Sequence, residues 1–399
     1  VESGTIFIQS AGKAVREFLF SDVELNYVSN NISLLSSHLL NSPVDMALRK
    51  ATSTTDGDLL MVVNTDGTMA TYSILRDQNI TAPSLASTGP EAATITVSDY
   101  ANIAVGTELT FTDNNGTVIT LQSEAISGSA PSSASGNTHF FRPNESNNTT
   151  ADNLFTAFGN ISQFVVKNPA AAVVTVKRVV PGDDNLTVTT TDSTRLTVTN
   201  FAKTDKFLNV AVDVETIYCV VKRSINGSDV YHVEAFNDDN TTDSAILFSG
   251  GTLPGSTSLS GLTHLEGETV KVIVDDAMQT NKVVSSGAIT LDSVPTSYVE
   301  VGLDYTPKIQ TLPVELQLSS GNIVAQKKRI IEATANIYLS QNLTLDGSDF
   351  AFTAASFFTG KKRRKPMLGY DRDGQLTFSQ SQPLFFNLLG VEYKVSVGQ

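Results

Sequence analysis

The chain has 399 residues, of which 40% are hydrophobic and only 17% charged; that length accommodates two to four domains with sizeable cores. With 27 Lys and Arg against 41 Asp and Glu, the net charge is −14, which disfavours a general nucleic-acid binder, since such proteins run basic. The single cysteine, Cys219, excludes an intramolecular disulfide, no run of about 18 apolar residues marks a membrane-spanning helix, and no secretory signal is legible. The acidity has two readings: it keeps the protein soluble, or it lines a channel and stops phosphate from adhering.

The chain opens at Val1 in what already reads as a strand, so residues upstream of it are expected. Residues 5–9 and 15–20 read as two strands around Ser10-Ala11-Gly12-Lys13. Ile32, Leu35 and Leu39 have the spacing of one short helix over 32–40. Strands follow at 45–49, 59–63 and 69–75, the last two joined through Asp66-Gly67 in a hairpin turn. Meanders with tight turns are the unit of a β-propeller, so residues 1–82 are assigned to one or two blades. Pro83 to Pro90 reads as a small-residue linker.

Residues 83–202 change texture, rich in Thr, Val, Asn and Gly, and read as an inserted α+β module. Strands are expected at 93–97, 108–112 and 117–121, a mobile Ser/Asn/Gly loop over 128–150, and strands at 173–178 and 186–190. Leu154, Phe155, Phe158, Ile161 and Phe164 fall at helical spacing, which predicts a helix over 151–164 and the order β-β-β-α-β-β. The blade pattern resumes over 203–250, so the insert's two ends must lie close together.

Within that stretch, two apolar-rich runs flank Asn226-Gly227, the strongest short-range hairpin signal. The acidic segment 237–243 leads out, and residues 251–399 read as a separate all-β domain. Its strands are expected at 270–274, 282–285, 288–291, 299–303, 328–338 and 376–379, with a last pair at 384–388 and 391–397. In the long strand, Arg329, Ile331, Ala333, Ala335, Ile337 and Leu339 should share one face, opposite Ile330, Glu332, Thr334, Asn336 and Tyr338. Such length suits a barrel or tube wall.

Chemistry-bearing motifs are few. His38, His139, His232 and His264 show no zinc-like spacing, and no Gly-x-Ser-x-Gly elbow, dinucleotide fingerprint or P-loop occurs. Asp183-Asp184, Asp238-Asp239, Asp275-Asp276 and Asp371-x-Asp373-Gly374 complete no calcium loop and read as turns. No catalytic residue, cofactor or metal is therefore expected. Cys219 reads as a buried thiol on a strand face with Ile217 and Val221. The outlier is Lys361-Lys362-Arg363-Arg364-Lys365, a basic run in an acidic chain. It reads as a solvated loop, a contact with an acidic patch of a neighbouring subunit, or a contact with DNA phosphate.

The hairpin ending Val233-Glu234-Ala235-Phe236, the segment Gly261 to Val270, Val301-Gly302-Leu303-Asp304-Tyr305 and Tyr370-Asp371-Arg372-Asp373-Gly374 together resemble the C-terminal part of the tail nozzle proteins of short-tailed bacteriophages, also called tail tubular protein B. Residues 5–9, 15–20 and 33–40 resemble the propeller region of that family, so the likeness covers 1–80 and 203–399. It implies a structural virion protein of the tail, assembled in the host cytoplasm as a homohexameric ring below the tail adaptor ring, with genomic DNA passing through the channel and tail fibres as further partners. It also implies a propeller interrupted by the insert and followed by a barrel-like nozzle domain. The rival classes are a carbohydrate-binding or adhesive β protein, against which stands the absence of Trp, and a glycan-degrading enzyme needing paired acids from distant strands.

Overall fold

The computed structural model describes residues 4–21, 25–52, 57–75, 78, 80–88, 91–112, 118–125, 131–161, 164–178, 187–201, 204–226, 228–237, 239–315, 317–318, 321–322, 326–353, 356–365, 369–380 and 382–397. The protein is mainly β, with one α-helix among the described residues and several separate sheets, none of them closed into a barrel. It divides into two compact units, Val1–Asn237 and Asp238–Gln399.

In the first unit, β1 (Thr5–Ile8), β2 (Val15–Ser21) and β3 (Asn26–Asn31) form an antiparallel meander. β4 (Pro43–Arg49), β5 (Asp58–Asn64), β6 (Met69–Leu75) and β7 (Ile80–Ala86) form a second. The apolar run of β5 has no polar alternation because both faces of its sheet are covered. Leu60 and Val62 pack with Ala70, Tyr72 and Ile74 against Val15 and Leu40. Met61, Val63 and Met69 turn the other way, toward Phe207, Val210, Ile217, Cys219 and Val221. Those residues lie at the start of a third meander, or on its strands, formed by β16 (Lys206–Asp213), β17 (Thr216–Ile225) and β18 (Ser228–Ala235). The three sheets therefore stack face to face in chain order.

Two contacts fix the third sheet on the second. Asp45 accepts a hydrogen bond from the Val210 amide at 3.0 Å. The turn glycine Gly67 has φ +90°, and any Cβ there would strike Lys206; its carbonyl accepts from the Phe207 amide at 3.0 Å. Gly67 is thus required both for the turn and for close approach of β16.

Two expectations fail in and around these meanders. Residues 32–40 form turns with one 3-10 turn over Ser37–Leu39, and Leu35 is 92% exposed. Ser33 is spent instead on accepting the Val15 amide at 2.9 Å, which ties the segment to β2 in non-helical form. Pro83 lies in no linker: it sits in β7 opposite Tyr72, on the outer strand of its sheet, where a missing N–H removes no ladder bond. The expected boundary at residue 82 therefore cuts through a strand. In the β17–β18 turn Asn226 has φ +48°, as a hairpin turn demands, while Gly227 lies outside the described residues.

The insert is larger in secondary structure than the sequence suggested. It holds β8 (Ala92–Val97), β9 (Glu108–Thr112), β10 (Val118–Ser123), β11 (Thr138–Phe141), α1 (Asn147–Gly159), β12 (Phe164–Ala170), β13 (Val173–Arg178), β14 (Thr187–Thr190) and β15 (Leu196–Val198). Two four-stranded sheets, β11-β10-β9-β14 and β12-β13-β8-β15, share one core with the helix. Phe111, Phe158, Phe164 and Phe201 cluster there at ring separations of 5.1–6.2 Å. The helix begins four residues earlier than predicted because the Ser146 hydroxyl caps it, accepting from the Thr149 amide at 3.0 Å. It ends at Gly159 with Asn160 as its C-cap, and Phe164 belongs to β12. The expected mobile loop contains β11, which pairs parallel with β10; residues 126–130 lie outside the described residues. β8 and β15 are antiparallel neighbours, and the Thr199 amide donates to the Thr94 carbonyl at 3.0 Å. The strands that open and close the module therefore run side by side.

The second unit begins earlier than residue 251. β19 (Asp243–Ser249) pairs with β25 (Tyr298–Leu303), not with the preceding meander. β25 also pairs with β21 (Thr269–Val274), which carries β22 (Ala277–Met278) and β23 (Lys282–Val283), while β20 (Ser258–Ser260) pairs with β24 (Ala288–Thr290). Toward the C-terminus, β26 (Lys308–Gln310), β33 (Thr377–Ser379), β30 (Thr344–Leu345) and β31 (Ser348–Asp349) form a small sheet. A two-stranded ribbon joins β27 (Gln317–Leu318) and β28 (Gly321–Asn322). The two longest strands lie in an open sheet of three in the order β32 (Phe358–Arg364), β29 (Lys328–Ser340), β34 (Asn387–Val397).

The predicted alternation along β29 breaks at a bulge. Ile330 opposes Val395 and Glu332 opposes Lys394, leaving Ile331 as the extra residue. Ile330 and Ala333 are consequently both buried, with Ala335 and Ile337, against Leu343, Leu345, Leu376 and Phe378. A second irregularity places Leu389 between the partners of Ile337 and Asn336, so the expected pair 384–388 and 391–397 is one bulged strand, β34.

Candidate functional site: the basic strand

The run Lys361 to Lys365 is a strand, not a loop: Lys361 to Arg364 complete β32, paired with β29 and at the edge of the sheet. The pleat then divides the four charges within the strand. Lys362 and Arg364 point to the core side. The Lys362 ammonium lies 4.3 Å from the ring centres of both Phe352 and Phe358 and donates to the Ala351 carbonyl. Arg364 lies 6.0 Å from the Phe350 ring and donates to the Asp349 carbonyl. These two cations fasten segment 349–352 to the sheet through cation–π contacts and carbonyls.

Lys361 and Arg363 take the opposite face, opposite Asn336 and Thr334 of β29. Lys361 pairs with Glu392 of β34. Arg363 approaches Glu332 of β29 at 3.5 Å, and Lys394 of β34 reaches the same carboxylate at 3.2 Å. The hydrogen bond from Lys394, together with the charges of Arg363 and Lys365, holds the Glu332 carboxyl below its usual range. Four cations thus surround two carboxylates, and Arg363 and Lys394 remain 68% and 72% exposed. The face is an exposed, net-positive surface in an acidic chain; it can attract polyanions, but among the described residues it offers no enclosed pocket and no nucleophile with an adjacent base.

Glu332, Glu392 and Lys394 escaped sequence reading because they come from two strands, β29 and β34, far in sequence from the basic run. Their signal is the Glu-x-Lys alternation in β34 and the outward position of Glu332, which the bulge at Ile331 disguises.

The other sequence candidates stay apart. His38 is in the 3-10 turn, His139 is in β11 with burial lowering its pKa, and His264 is bonded to the Ser244 carbonyl at 3.2 Å. His232 lies 3.8 Å from Glu234. Among the described residues, no three His, Cys, Asp or Glu side chains gather as a metal site. Asp275 and Asp276 form a left-handed turn at φ +49° and +66°. Burial raises the Asp275 pKa, but bonds from Thr296, Ser297 and Tyr298 outweigh it and hold the carboxyl at about 2. Asp276 accepts from the Tyr298 hydroxyl at 2.8 Å. Asp371 exchanges backbone hydrogen bonds with Lys328, and the Asp373 carbonyl accepts from Val314. Asp183, Asp184 and Asp238 lie outside the described residues. Burial, with the charge of Glu234, pushes the Cys219 thiol up to about 12.

No protein-family model matches the chain, and no curated protein does. Among solved structures it is matched to the GH31 alpha-xylosidase from Xanthomonas citri at 9% identity and a TM-score of 0.12, covering 90% of this chain and 36% of that one. The chain spans about a third of that protein's length, and the likeness is too low to carry an argument about fold or activity.

Proposed function

We propose that this chain is a structural subunit of the tail nozzle of a short-tailed bacteriophage, part of the virion and without enzymatic activity. Six copies form a ring below the tail adaptor ring, with tail fibres alongside and genomic DNA passing through the central channel at ejection. In this reading the three stacked meanders are an arc of a β-propeller interrupted by the inserted module, and the long-stranded sheet of the second unit supplies channel wall.

The observation that carries the reading is the basic strand. In a chain of net charge −14, cations gather on the exposed face of the sheet with the longest strands, partly neutralised by Glu332 and Glu392. Such a face meets phosphate weakly while the acidic remainder repels it, which suits a channel that must hold DNA and then release it. The test is electron microscopy of the recombinant ring with its adaptor, alongside particles carrying Lys361→Gln, Arg363→Gln and Lys365→Gln. A six-fold ring with an axial channel, and premature DNA loss from the variant, are expected. A trimer would favour the adhesive-fibre reading, and unchanged DNA retention would remove the role of the basic face.

A further inference from the structure

The outward face of the β32-β29-β34 sheet carries rings as well as charges. Ile337 of β29 is buried in the core and the next residue, Tyr338, is 48% exposed, so Tyr338 belongs to the side that holds Lys361 and Arg363. At the other end of the face, Ser396 of β34 opposes Arg329 and stands two residues beyond Lys394, on the same side. The Tyr370 hydroxyl comes within 3.4 Å of the Ser396 hydroxyl, and Tyr370 is 51% exposed. Two tyrosines therefore bracket the cations Lys361, Arg363 and Lys394, with Lys365 just beyond the end of β32.

We infer that this face binds single-stranded DNA, with bases stacked on Tyr338 and Tyr370 and phosphates on the cations between them. Charge complementarity selects a polyanion: the four cations outnumber Glu332 and Glu392 on this face, in a chain whose net charge is −14. Every second residue of β32 faces outward, at intervals of roughly 6.6 Å, which is close to the phosphate repeat along one nucleic-acid strand. The rings select the unpaired form. A duplex hides its base faces, whereas every unpaired base offers one, whatever its identity. From Tyr338 to Arg329, β29 runs roughly 30 Å, room for about four nucleotides laid across the sheet. The inference deepens the nozzle reading: the choice of DNA over RNA rests on that reading, and the preference for an unpaired strand does not. A duplex meets only the cations here, so weak contact with duplex and tighter contact with an unpaired stretch belong to the same face.

The test is fluorescence anisotropy of a labelled oligothymidylate of about 20 nucleotides, alone or annealed to oligoadenylate, titrated with the full-length chain at low salt. The single strand should bind about tenfold more tightly than the duplex. Tyr338→Ala should weaken single-strand binding about tenfold and leave duplex binding unchanged, while Tyr338→Phe, which keeps the ring, should bind like the unsubstituted chain. Lys361→Gln should weaken binding of both probes. Should Tyr338→Ala lower the melting temperature, Tyr370→Ala at the far end of the face decides, with the same selective loss expected. Equal affinity for strand and duplex, or tyrosine variants that hold the single strand as before, overturns the inference and leaves a polyanion surface only. Phosphatidylglycerol vesicles that bind the chain and are not displaced by oligothymidylate, or oligouridylate bound more tightly than oligothymidylate, overturn the choice of occupant. A six-fold ring without single-strand preference would refute this face and spare the nozzle reading; single-strand preference in a chain that assembles as a trimer would do the reverse.

Discussion

Arg223 on β17 is fully buried, and Glu234 on β18 meets it with two hydrogen bonds of 2.6 Å. Asp205 stands 3.7 Å away on its other side. Removing one partner of such a pair strands a buried charge, so Glu234→Ala should cost about 3 kcal/mol in urea unfolding of the first unit. Cys219 faces Glu234 from the neighbouring strand position. Its folded pKa of about 12 against an ordinary 9.0 means both states keep the proton below pH 9. Above that, only the unfolded chain releases it, so this group's contribution to stability falls as pH rises from 9 toward 12. At pH 8 the thiol should resist an aromatic disulfide reagent in the folded protein and react at once in urea; prompt labelling without denaturant would contradict its burial.

At the scale of elements, β32 separates two roles that adjacent residues share in sequence. Lys362→Ala loses two ring contacts and should destabilise the second unit by about 1–2 kcal/mol. Lys361→Ala loses an exposed ion pair and should stay within about 0.5 kcal/mol. Binding of heparin as a polyanion probe should reverse the order, weakening more for Lys361→Ala; equal effects in both assays would mean the pleat does not divide the run. Sequence could not make this division, because an exposed edge strand written in lysine and arginine has the composition of a loop. Most strands were legible from apolar runs and turn residues such as Asp66-Gly67 and Asn226. What failed was decided by distant partners: Pro83 is acceptable only because its strand lies at an edge, and Ile32, Leu35 and Leu39 mimic a helical stripe although Leu35 stays in solvent. One extra residue at Ile331 put the start of β29, up to Ile330, on the wrong face. The candidate face was legible only in its basic third, since Glu332, Glu392 and Lys394 join it through pairing across long sequence separations.

At the scale of the whole molecule, the inserted module is the part with its own complete core, drawn only from residues 93–201. Expressed as 91–201 it should fold alone, with a cooperative thermal transition by circular dichroism. Phe158 sits at the centre of its aromatic cluster, fully buried. Phe158→Ala should remove about 3–5 kcal/mol from that transition.

The adjacency of β8 and β15 has a kinetic consequence. The second and third meanders pack on each other across the whole length of the insert, so before it folds their contact closes a long flexible loop. Once it folds, the tether shrinks to the gap between two neighbouring strands, which lowers the closure entropy by roughly 2–3 kcal/mol. The module then acts as an internal chaperone of its host: loosening it at Phe158 should slow the docking of Phe207 and Val221 onto Met61, although none of these residues belongs to its core.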